Sequence, residues 1–157
     1  MERLAASMLL ACGFCVMPGA AAQAQHPVEH VMFEPSELVW RDLPSLPGVK
    51  IAVLEGPLDQ PVPIMFRLKF PANYKIPPHW HPGIEHITVL SGKLHMGFGD
   101  EFDRAKSHPL APGAAAIMQP RTHHFAWTSE ETITQIHSIG PWSVTYVNPA
   151  DDPARRR

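Results

Sequence analysis

Proline limits what this chain can fold into more than any other residue. Eighteen of its 157 residues are proline, spread from Pro18 to Pro153. Proline breaks helix interiors and cannot donate to a strand ladder, so it marks the gaps between short elements. The apolar runs between these gaps are short and rich in Val, Ile, Thr and Phe. They include "VKIAVLEG", "PIMFRLKF", "IEHITVLSG", "KLHMGFGD", "HHFAWTS" and "ETITQIHSIG". Short β-branched runs separated by turn signals are the pattern of a β-sandwich or barrel, so the expected class is all-β. Beyond Ala24 no segment keeps a 3.6-residue apolar period for three turns. A short helix or turn is expected only around "PSELVWRDL", Pro35 to Leu43. There is no internal repeat and no domain boundary.

The first two dozen residues differ from the rest. Arg3 precedes the apolar run "LAASMLLACGFCVM", which Pro18 and Gly19 end, and "AAAQAQ" follows. This charged, apolar and small-residue order is that of a secretory signal peptide, with cleavage expected after Ala24 or Ala22. Leu9-Leu10-Ala11-Cys12 offers a rival lipoprotein reading with a very short apolar run. The expected location is therefore the periplasm or the extracellular space. Both cysteines, Cys12 and Cys15, lie in this leader. The remainder can form neither a disulfide nor a thiolate metal site, despite an oxidising destination. The expected organisation is a leader over 1–24, an N-terminal arm over 25–48, a β domain over 49–150 and a basic tail over 151–157. A net charge of −2 implies no broad attraction to nucleic acid. No segment after the leader is apolar for long enough to span a membrane.

One stretch stands out, "PPHWHPGIEHITVLSG", Pro77 to Gly92. Residues two apart on a strand face the same side, so His79 and His81 project together. Glu85 shares their parity, but six straight strand steps would carry it roughly 20 Å away. Pro82-Gly83 is a strong turn former and supplies the bend that returns Glu85 to the histidines. Ile87 and Val89 then continue on the Glu85 face into the core. Two histidines and a carboxylate suit a divalent ion with open positions for a substrate. "QPRTHHFAW" supplies His123 and His124 from another expected strand, and only one of two neighbours can face inward.

The spacing His79-x-His81-x3-Glu85-x6-Gly92 resembles the first signature motif of the cupin superfamily. Gly113-x5-Gln119-x-Arg121-x2-His124-x3-Thr128 follows the spacing of the second. The resemblance covers roughly Val49 to Asn148. The chain departs from the family pattern at Gln119, Arg121 and Thr128, and at Asn73, where a glycine is usual. The resemblance implies an RmlC-like cupin double-stranded β-helix, a jelly-roll β-barrel, often dimeric, with one metal ion inside. It nominates His124 as the third histidine ligand and makes His123 an outward residue or one that supports a ligand from behind. The implied metal ligands are His79, His81, Glu85 and His124, with Glu85 also the catalytic candidate. The ion could be Fe, Mn, Ni, Cu or Zn, since histidine and carboxylate suit them all.

The remaining polar and aromatic residues have plainer expectations. His86 has the parity opposite Glu85 and reads as an outer-face residue or a hydrogen-bond partner of a ligand rather than a ligand. His95 and His137 read as hydrogen-bonded strand histidines, and His26, His30 and His108 carry no pattern. Phe125, Trp127 and Trp142 read as core or contact aromatics rather than pocket walls. Trp80 should point away from its flanking histidines. Glu101 and Asp103 read as a rim loop without calcium-loop spacing. Two functions follow. One is a metalloenzyme acting on a small oxygen-rich substrate, with dioxygenase-like oxidation first and isomerase or lyase chemistry behind it. The other is a non-catalytic module that binds a metal, a sugar or a small acid. A homodimer is expected, because the open edges of a small β domain are commonly buried by pairing.

Overall fold

A computed structural model describes residues 30–156 of the chain, which divides at Met32 and Phe33. The expectations about the leader, its cleavage and its two cysteines lie outside the described residues. A 3-10 turn over Pro35–Glu37 stands where a short helix or turn was expected, with Pro35 in its first position.

Eleven strands follow among the described residues. In chain order they are β1 (Arg41–Asp42), β2 (Lys50–Glu55), β3 (Pro63–Phe70), β4 (Lys75–Trp80), β5 (Glu85–Ser91) and β6 (Leu94–Phe98). Then come β7 (His108–Leu110), β8 (Ala115–Met118), β9 (His124–Thr128), β10 (Thr132–Ile139) and β11 (Thr145–Tyr146). They form a six-stranded sheet in the order β1-β2-β3-β10-β5-β8 and a five-stranded sheet in the order β11-β4-β9-β6-β7. Neighbours run antiparallel throughout, as in β3 with β10 and β4 with β9.

The expected closed jelly-roll barrel is not what forms. Among the described residues, neither sheet pairs its first strand with its last, and no ladder joins the two sheets. The outermost strands show why. β1 and β11 have two residues each, β7 has three and β8 has four. Closure needs continuous ladder hydrogen bonds around the whole ring, and strands this short cannot carry them. Pro109 inside β7 removes one donor more. The result is two open sheets, and short edge strands are themselves a defence against edge-to-edge pairing.

One core joins the sheets. Alternation along β3 turns Ile64, Phe66, Leu68 and Phe70 inward, and β5 turns Ile87 and Val89 inward as its period-2 pattern requires. The other sheet contributes Ile76, Leu94, Met96 and Ala126. Burying a side chain such as Phe66 or Ile136 contributes roughly 1.5–3 kcal/mol. Leu46 joins this core from the segment after β1, where the Leu43 N–H donates to the Val49 carbonyl at 3.0 Å. Asn73, in the turn before β4, holds φ at 59°, the left-handed region that the glycine usual there would enter freely.

Candidate metal centre

β4 does not alternate cleanly, and that irregularity builds the site. Ile76 and His79 are both buried, three residues apart, an odd spacing that a regular strand would split between faces. The ladder to β9 shifts register between these two residues, next to Pro77 and Pro78, neither of which has an N–H to donate. The bulge re-aims the strand, a known use of bulges beside functional sites. After it, His79 and His81 face inward together, and Trp80 lies half-buried between them.

Pro82 and Gly83 form the expected bend. The Ser138 hydroxyl donates to the Ile84 carbonyl at 2.7 Å and fixes the chain after it. Glu85 thus opens β5 buried, and His86 is exposed on the outer face, opposite His137 of β10. On the facing strand, His124 is the direct partner of His79. Arg121, in the turn before it, takes φ of 63° and donates its N–H to the His81 carbonyl at 2.9 Å. Arg121, one of the departures from the family pattern, therefore ties the second motif to the first through its backbone. His123 points outward to Asp100, with Nδ1 2.6 Å from Oδ1.

Three of the four expected ligands form one group. The candidate ligand atoms of His79, His81 and His124 all lie within 4.8 Å of one another, and all three residues are buried. Ring centroids are 4.2 Å apart for His79 and His124, 5.0 Å for His79 and His81, and 5.3 Å for His81 and His124. Glu85 stands beside them, its Oε2 3.6 Å from His81 Nε2 and 3.4 Å from His124 Nε2.

The hydrogen bonds settle which nitrogen carries the proton. His79 Nδ1 lies 2.8 Å from the Pro77 carbonyl, His81 Nδ1 2.8 Å from the Ser143 carbonyl and His124 Nδ1 2.9 Å from the Thr122 carbonyl. A carbonyl oxygen only accepts, so each Nδ1 is the donor and each neutral ring keeps a lone pair on Nε2. Burial pushes His79 well below the ordinary imidazole range, and the neighbouring His124 and His81 lower it further against a raising effect of the Pro77 carbonyl. Burial also lowers His81, although Glu85 and the Ser143 carbonyl oppose this. With each Nδ1 turned to its carbonyl, it is Nε2 of His81 and of His124 that faces Glu85. Glu85 Oε2 is buried without a hydrogen-bond partner. Three buried imidazole nitrogens and a carboxylate oxygen without a hydrogen-bond partner, gathered in one place, fit one divalent transition-metal ion.

A cavity of about 300 Å³ adjoins this group. Trp142 lies along it, stacked on His81 at 4.1 Å and edge-on to Phe66 at 5.3 Å. Trp142 is thus a core contact and a cavity wall at once, where only the first was expected. Residues 142 and 143 together hold His81 from a segment some 60 residues away in sequence, and nothing local announces that. Phe125 is fully buried, but it packs against Phe102 and away from the cavity. Trp127 stacks on His95 at 3.7 Å and also lies outside the cavity lining. Asp103 caps the turn over Arg104–Lys106, and Glu101 is exposed beside it.

Residues 66–140 match the cupin domain family. Germin-like protein subfamily 1 member 1 of Arabidopsis thaliana is 36% identical over 64 residues, 40% of this chain and 30% of that protein. The match therefore spans less than a third of that relative's length. Among solved structures, the polyketide cyclase RemF from Streptomyces resistomycificus superposes with a TM-score of 0.62 at 17% identity, over 80% of this chain and 90% of that one. An oxalate oxidase superposes with a TM-score of 0.54 at 19% identity, over 74% of this chain and 63% of that one. At such identities the likeness is one of fold. Residues 66–140 are therefore similar to the cupin domain family, and the two open antiparallel sheets hold a buried three-histidine group that suits one divalent transition-metal ion.

Proposed function

We propose that this chain is an exported metalloenzyme that carries out oxidative, dioxygenase-like chemistry on a small molecule. The observation that carries this reading is the meeting of three Nε2 lone pairs and the partnerless Glu85 Oε2 beside a cavity. The oxalate oxidase of similar fold puts oxidation among the reactions this architecture supports. When bound, a divalent transition metal supplies Lewis acidity and, if redox-active, electron transfer.

The chain's own residues have definable roles in this reading. His79, His81 and His124 hold the ion, each ring oriented by a backbone carbonyl. Glu85 Oε2 is either the fourth ligand or the acceptor of a substrate proton. Trp142 covers one face of His81 and keeps water from it. The leader directs export. Homodimerisation is supported by exposed Leu90, Ile117 and Ile139 on the six-stranded sheet.

The test is elemental analysis of the mature protein purified without a histidine tag from its exported compartment, together with sequencing of its N-terminus. About one redox-active metal per chain and oxygen uptake with a turned-over substrate are expected. A metal-free protein, or one metal without any turnover across a broad substrate screen, would leave only the binding-module reading.

A further inference from the structure

The cavity beside the histidines has a chemical character of its own. Most of its wall is aliphatic or aromatic, including Phe66, Leu68, Ile87, Leu94, Met96 and Ile136. The only charged side chains among its lining residues are Glu85 and Asp152, and both are acids. Asp152 is already engaged, since its carboxylate accepts from the Ala154 N–H at 2.9 Å and faces Arg155 at 3.8 Å. Among the described residues, no lysine or arginine lines the space. Exposed Ser45 and Ser143 belong to the lining, so the cavity reaches the surface.

These facts divide small molecules sharply. Protein interiors pack like organic crystals and leave few voids larger than a water molecule. A largely apolar space of this size is of the order that ligand sites occupy. A small dicarboxylate would bring two negative charges into a low-dielectric wall with no cation except the ion itself. An apolar body would instead replace poorly bound water along most of the surface.

Resting on the metal reading above, we infer that the cavity takes a largely apolar molecule of one or two aromatic rings whose oxygen donors are confined to the end facing His79, His81 and His124. The apolar wall holds the rings, and the ion end holds the oxygens. Compact polyanions such as oxalate are poor ligands of this cavity.

The test compares three probes by isothermal titration and by quenching of tryptophan fluorescence. They are 2,3-dihydroxynaphthalene, naphthalene and oxalate, each added to the metal-loaded protein and to His81→Ala. Metal content is measured separately. With the loaded protein, dihydroxynaphthalene is expected to bind at least tenfold more tightly than oxalate. With His81→Ala, dihydroxynaphthalene is expected to fall to the affinity of naphthalene, and naphthalene is expected to keep binding. Val144→Trp inserts a ring from the half-buried edge of the cavity. It should weaken dihydroxynaphthalene at least tenfold and leave metal content unchanged, with an unaltered thermal transition as the check on folding. Oxalate binding as tightly as dihydroxynaphthalene to the loaded protein overturns the inference and leaves the metal reading intact. Protein that never loads metal but still binds naphthalene, and loses it in Val144→Trp, sinks the metal reading alone. Failure of naphthalene to bind any form overturns the apolar site.

Discussion

Two sets of histidines face opposite sides of the sheets. His79, His81 and His124 face the core, and each anchors Nδ1 on a backbone carbonyl. His95, His123 and His137 face outward and meet side chains instead, namely Ser129, Asp100 and Gln135. A backbone carbonyl is held by the fold, whereas a surface side chain is free to turn. The inner rings are therefore preset before any ligand arrives, and the outer ones are not. His123 and His124 are adjacent in sequence, so residue type does not separate the two sets. Strand parity does, together with what each ring finds on its own face.

The sharpest way to break this comparison is to remove an inner ring. His81→Ala or His124→Ala should abolish stoichiometric metal binding, a larger effect than the about 10–100-fold typical of losing a partner that orients a ligand. Elemental analysis decides it, and a variant that retains one metal per chain would refute the site. Next comes Trp142→Ala, which removes a half-buried ring packed on His81 and Phe66. It should destabilise the fold by about 2–3 kcal/mol in a urea titration. A change under about 0.5 kcal/mol, the range of ordinary surface substitutions, would show that the stacking is incidental. Glu85→Gln keeps the shape of the side chain and replaces a charged oxygen with an amide. Metal affinity should fall by about 10–100-fold without loss of folding, and an unchanged affinity would remove Glu85 from the site. The smallest effect belongs to the outer set. His123→Ala removes a surface contact to Asp100 and should shift stability by no more than about 0.5–1 kcal/mol, with metal content unchanged. Lost metal in that variant would erase the distinction between the two faces.

Much of the site is legible in the residues. The parity of His79 and His81, the Pro82-Gly83 bend and the alternation through Glu85, Ile87 and Val89 are local properties, and each side chain lies where local rules put it. Two departures from the family pattern also have local explanations. Asn73 takes the positive φ that the usual glycine would take. Thr128 is fully buried, donates its hydroxyl to the Pro71 carbonyl and accepts from the Tyr74 N–H, which ties β9 to the turn before β4. Other features depend on partners that no local pattern names. Phe125 shares β9 with His124 yet is buried on the opposite face, where Gly97 leaves room for its ring and Phe102 covers it. A side chain added at Gly97 would run into that ring.

The residues by themselves determine that this chain builds short strands, because prolines and β-branched runs act within a few positions of where they stand. They also determine which histidines can share a face, because a strand repeats every two residues. Only the tertiary structure decides that the two sheets stay open, since closure depends on whether distant edge strands are long enough to meet. It alone brings Trp142 and Ser143 onto His81, and it alone leaves an apolar cavity beside the ion site. Those are contacts between residues far apart along the chain, and packing rather than local preference chooses them.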